Sequence, residues 1–131
     1  MATQKARQEF IDTIRGEGSI EQPWSERVNL AKLLLRHGAT YARLQESNCN
    51  GVGTWAGESN ESFQRRQSEH EAYCEKREQQ IERRIRQIVA ELGQGFGVTF
   101  GGDPRGATVK IQMPSGRTND WGREGICVPT A

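Results

Sequence analysis

The chain has 131 residues, 34% apolar and 27% charged, and its 18 basic and 17 acidic residues leave a net charge of +1. That length fits one domain with a modest core, and so balanced a charge excludes a global field that would gather nucleic acid or an anionic membrane. No apolar run nears the roughly 18 residues of a spanning helix, and Met1 to Arg15 lacks a signal-peptide core, so a soluble, unsecreted protein is expected.

Thr3 to Arg15 places Ala6, Phe10, Ile11 and Ile14 at helical spacing, and Gly16 and Gly18 end the pattern. A short polar linker runs from Glu17 to Pro23. Trp24 then precedes Ser25, a good N-cap, and is placed to staple onto Val28. From Ser25 to about Ser47, Val28, Ala31, Leu34, Leu35, Tyr41, Ala42 and Leu44 make one apolar stripe. Gly38 interrupts it at a cost of about 1 kcal/mol relative to Ala, so it either admits a close neighbour or bends the helix. The segment 48–57 reads as a loop. A third helix is expected from Asn60 to Leu92, with Ile81, Ile85, Ile88 and Leu92 stepping by 4, 3 and 4. This helix overhangs its shorter neighbour, so its seam calls for a second subunit, and at least a dimer is expected.

Glycines then crowd the chain, nine of the 15 lying from Gly93 onward. Apolar runs at 96–100, 107–113 and 125–128 are separated by turn-rich stretches. Asp103-Pro104-Arg105-Gly106 has the residues that a type I turn prefers, and Met113-Pro114-Ser115-Gly116 has similar chemistry. Between them Val109, Ile111 and Met113 alternate with Thr108, Lys110 and Gln112, the period of a half-buried strand. The expected fold is therefore α+β: a helical part, 1–92, with a long helical hairpin, then a small antiparallel β-meander, 93–131, in a single domain.

Candidate chemistry is sparse. The two histidines, His37 and His70, fall in expected helices with no evident nucleophile beside them, and Cys49, Cys74 and Cys127 show no zinc spacing. No catalytic residue, metal site or cofactor is expected. Glu75, Arg77, Glu78, Glu82 and Arg86 read as solvated helix pairs. Fourteen of the 18 basic residues are Arg, which fits either GC-rich codon usage or a need for bidentate anion contacts. The sharper signal lies in the tail. Arg105, Arg117 and Arg123 each adjoin a glycine, Asn119 and Asp120 offer hydroxyl-binding groups, and Trp121 offers a ring face. Together these six suit a nucleotide-like ligand. The competing arrangement pairs Arg105 with Asp103 or Asp120, pairs Arg123 with Glu124, and buries Trp121 in the core.

The block Gly102-Asp-Pro-Arg-Gly-Ala-Thr-Val-Lys-Ile-Gln-Met-Pro-Ser-Gly-Arg-Thr-Asn-Asp-Trp-Gly-Arg-Glu-Gly-Ile-Cys-Val-Pro129 resembles the C-terminal block of small hypothetical proteins of tailed phages and prophages. Leu34-Leu35-Arg36-His37 and Asn48-Cys49-Asn50-Gly51 are similar to the N-terminal helix and loop of the same proteins. The resemblance implies a phage accessory protein acting in the host bacterial cytoplasm. More distantly, the size and the Arg/Asn/Asp/Trp tail resemble the Thoeris anti-defence sponges, which sequester nucleotide second messengers as oligomers. The expectation is then a non-enzymatic anti-defence protein that binds a small anionic nucleotide without turnover. The alternatives are an anti-CRISPR-like protein-binding inhibitor of a host defence nuclease complex, and a nucleic-acid-associated phage accessory protein.

Overall fold

The computed structural model describes residues 4–17, 23–101, 107–122 and 125–126. Three helices, α1 (Gln4–Glu17), α2 (Trp24–Asn50) and α3 (Asn60–Leu92), precede four strands. The strands are β1 (Gly97–Phe100), β2 (Ala107–Gln112), β3 (Thr118–Gly122) and β4 (Gly125–Ile126). They form one antiparallel sheet in the order β1-β2-β3-β4. The α+β arrangement and the long helical hairpin are as the sequence leads one to expect, but the meander has four strands rather than three.

The extra strand is β3, which falls on a stretch read as a ligand-binding loop. Thr118-Asn-Asp-Trp-Gly has poor strand propensity, so register decides its conformation. Met113 N donates to Arg117 O and Gly116 N donates to Met113 O, both at 2.9 Å. These bonds close a three-residue hairpin loop that needs a positive-φ residue at its end, and Gly116 supplies it at φ +92. Arg117 onward is thereby aligned along β2, with Ile111 opposite Asn119 and Val109 opposite Trp121.

The core lies between one face of this sheet and the helices. Val109, Ile111, Met113, Trp121 and Ile126 point into it, meeting Phe10 and Ile14 of α1 and Leu30, Leu34 and Leu35 of α2. Trp121, 1% exposed, stands edge-on to Phe10 with ring centroids 5.0 Å apart. Gly38 resolves its alternatives here: it admits a close neighbour, and that neighbour is the Trp121 indole. Arg27, buried on α2, donates to the Arg15 carbonyl at 2.8 Å and so ties the last turn of α1 to α2.

Two local expectations change. Pro23 rather than Ser25 caps α2, because its fixed φ of −60 starts the helix at once and its carbonyl accepts from Glu26 and Arg27 N. Trp24 is consequently a first-turn residue, 68% exposed beneath the Arg15 guanidinium, and no staple. The seam on α3 changes too. Ile81, Ile85, Ile88 and Leu92 are all buried within this one chain, because β1 packs on α3 where α2 alone would leave it uncovered. That seam therefore gives no reason for self-association.

α3 begins at Asn60 as expected and is capped by Ser59, whose Oγ accepts from Ser62 N at 3.2 Å. Among the described residues no helix is long and apolar enough to cross a membrane.

Candidate functional site

Four of the six tail residues, Arg117, Asn119, Asp120 and Trp121, are described, and these four do not converge on one surface. Arg105 and Arg123 lie outside the described residues. Strand alternation sends Asn119 and Trp121 of β3 inward, 0% and 1% exposed, while Asp120 faces the other way opposite Lys110. Trp121 has its ring against Phe10 and Gly38, so the ring face foreseen for a ligand is spent on the core. Of the described members only Arg117 is exposed. It lines an open cleft of about 390 Å³ with Asp12, Thr13, Gly16, Glu17 and Ser115. Glu17 is anchored there by the Ser115 N–H at 3.0 Å. Two carboxylates against one guanidinium make a weak cradle for an anion.

A second cluster was not foreseen. His70, Cys74 and Ser47 meet between α2 and α3, with His70 Nε2 lying 3.0 Å from Ser47 O, 3.3 Å from Ser47 Oγ and 3.6 Å from Cys74 Sγ. A carbonyl only accepts, so the 3.0 Å contact places the proton on Nε2, and that nitrogen is no base for the thiol. Cys74 is 1% exposed and burial pushes its thiol pKa up, opposed by the Ser47 hydrogen bond and reinforced by Glu78. A buried thiol with no activating base is a structural one. Among the described residues no group of three or more His, Cys, Asp or Glu side chains is placed to hold a metal ion.

The outer end of the hairpin is built differently. Among the described residues, three large apolar side chains remain exposed, Trp24, Trp55 and Tyr73. Trp55, 66% exposed, has one ring face against a fixed guanidinium and its backbone tied to Glu58. The Arg66 guanidinium lies 3.8 Å from its ring centroid. Arg66 is itself fixed by Glu58, Nε to Oε2 at 2.7 Å with a second bond from its terminal nitrogen to Oε1, and by the Gly53 carbonyl at 2.7 Å. Glu58 also accepts from Trp55 N at 3.2 Å and from Ser62 Oγ at 2.8 Å. The bidentate pair with Arg66, helped by these two donors against the cost of burial, lowers the Glu58 pKa to about 2. Val52 N donates to Gln67 Oε1 at 2.9 Å, and Gly51, at φ +68, turns the chain out of α2. The 51–59 loop is thus a closed hydrogen-bonded frame that presents one indole face to solvent. In the sequence, Gly-Thr-Trp-Ala-Gly looked like plain loop. The only available signal was a Trp among glycines with an Arg-Arg pair ten residues on.

No protein-family model, curated protein or solved structure matches this chain.

Proposed function

We propose that this chain is a non-catalytic binding protein that captures a protein of the host bacterium through the outer end of the α2–α3 hairpin. This is the inhibitor alternative raised by the sequence. The observation that carries it is Trp55, exposed yet immobilised by Arg66, Glu58 and Gly53. Trp, Tyr and Arg dominate interface hot spots. A side chain already fixed in its bound position avoids an ordering cost of about 0.5–1.5 kcal/mol on association. Trp55 and Arg66 combine both features beside the first turns of α3, a helix of 33 residues whose other end leads into the sheet, and exposed Tyr73 lies further along the same helix.

The test is affinity capture from host lysate, comparing the wild type with Trp55→Ala. A specific host protein should be retained by the wild type and lost, by at least thirtyfold in affinity, from the variant, since a hot-spot truncation costs about 2 kcal/mol or more. Equal capture by both would remove the reading.

A second reading, capture of a small anionic nucleotide, rests on Arg117 at the cleft beside α1. It ranks below the first because Asp12 and Glu17 share that cleft. Calorimetry of the wild type and Arg117→Ala against cyclic and ADP-ribose-type nucleotides tests it, and heat that disappears in the variant would promote it.

A further inference from the structure

The surface running inward from Trp55 carries an ordered charge pattern. From Arg66, the residues Tyr73, Arg77, Gln80, Arg84 and Gln87 follow at steps of 7, 4, 3, 4 and 3, so they lie on one flank of α3. All five after Arg66 are exposed. Within this row one arrangement occurs twice, one heptad apart. Arg77 donates to Gln80 Oε1 at 3.0 Å, and Arg84 donates to Gln87 Oε1 at 3.3 Å. Each guanidinium is steadied by an amide that leaves its charge uncompensated. Glu71, Glu75, Glu78 and Glu82 of α3 sit on the other flank, where Glu82 accepts from Tyr41 and Arg86 lies over Phe100 of β1.

The neighbouring helix extends the pattern. The Tyr41–Glu82 contact of 2.7 Å sets the antiparallel register, which brings His37, one turn earlier on α2, beside Arg84. His37 is half-buried, and burial followed by the charges of Arg84 and Arg36 lowers its pKa. Leu33, His37, Thr40 and Leu44 step by 4, 3 and 4 along α2 and are all partly buried. They lie along the flank of α2 that adjoins the Tyr73–Arg84 row across the seam between the two helices.

From this juxtaposition we infer that the α2–α3 seam receives an amphipathic helix of the partner protein, one that presents carboxylates seven residues apart to Arg77 and Arg84. The inference rests on the hairpin reading above and names the partner's chemistry. Charge complementarity selects the occupant. Two guanidinium groups one heptad apart stand about 10.5 Å from each other along the axis at 1.5 Å per residue, which is the spacing of acidic flank positions on a helix packed alongside. The flank of Leu33 and Leu44 suits an apolar row. Glu69 and Glu91, exposed at the two ends of the same flank, disfavour a long polyanion such as a nucleic-acid strand.

The test is a fluorescence-anisotropy titration with three labelled probes. The first is a 21-residue amphipathic helical peptide with glutamates seven residues apart. The second has the same composition with the glutamates moved five apart, and the third is oligo-dT. The first probe should bind saturably, and the second at least tenfold more weakly. Oligo-dT should not saturate. The double variant Arg77→Gln, Arg84→Gln should keep the wild-type melting temperature and lose at least tenfold in affinity for the first probe. Absence of saturable binding by the first probe, equal binding by either of the others, or an unaffected double variant would overturn the inference. If capture of the host protein depends on Trp55 but survives the double substitution, the hairpin reading stands and this inference alone falls.

Discussion

A Cβ built on Gly38 would lie 2.6 Å from Trp121 Nε1 and 2.7 Å from Cε2. The indole has no room to retreat, because Phe10 stands edge-on behind it. Gly38→Ala should therefore destabilise the protein by about 1–3 kcal/mol through overpacking, although the helix itself gains about 1 kcal/mol from alanine. Urea denaturation of the pair gives the sign directly. Gly116 tests a different physics. A Cβ there meets nothing within 4 Å, so Gly116→Ala probes only the φ of +92. It should lower stability by more than the 0.4–1 kcal/mol that alanine gains by restricting the unfolded chain. An unchanged melting temperature would contradict the hairpin geometry. The companion glycines of the preceding turn, Gly102 and Gly106, lie outside the described residues.

At the scale of elements, the α2–α3 seam divides in two. Towards the sheet it is Ile81, Ile85, Ile88 and Leu92; towards the loop it is Gln67, His70, Cys74 and Glu78. Glu78 is 9% exposed and its Oε1 has no hydrogen-bond partner. Burial, then the charges of Glu82 and Glu75, raises its pKa. A carboxyl whose folded pKa exceeds its unfolded one holds its proton longer in the native state. Stability should therefore fall as pH rises from the usual carboxyl value through the raised one. Glu78→Gln, which mimics the protonated form, should raise the melting temperature at pH 7 and leave it nearly unchanged at pH 4. A wild type and variant that differ equally at both pH values would contradict the assignment.

The same scale shows what could be read beforehand. The helices were legible because Phe10 and Ile14, Leu34 and Leu35, and Ile81, Ile85 and Ile88 fall at helical spacing. β2 was legible because Val109, Ile111 and Met113 alternate. β3 was not, since Asn119, Asp120 and Gly122 are turn formers by propensity and only the hairpin closed at Gly116 aligns them as a strand. The inward turn of Asn119 and Trp121 follows from that one misreading of β3 as a loop. Once β3 is a strand, Asn119 and Trp121 must share the inward face. The rigid display of Trp55 was illegible for another reason. It depends on Arg66 returning along α3 to meet Glu58 and Gly53, a tertiary arrangement that spacing alone does not reveal.

At the scale of the whole molecule, the two tryptophans Trp121 and Trp55 divide the labour. Trp121 joins α1, α2 and the sheet, so Trp121→Ala should cost about 3–5 kcal/mol. Trp55 is 66% exposed and meets Arg66 and Glu58 at its own loop, so Trp55→Ala should change global stability by no more than about 0.5 kcal/mol while removing binding. Under the proposed function, the sheet and α1 are the base that holds two helices in register, and the hairpin would carry the contact surface outward. Site-specific photocrosslinking in host cells tests this most directly, with the photoreactive residue placed at Ala56, beside Trp55, and separately at Ser115, on the rim of the Arg117 cleft. The account predicts a discrete adduct with one host protein from position 56, absent in the Trp55→Ala background and absent from position 115. No adduct from position 56, or one that forms equally well without Trp55, would contradict it.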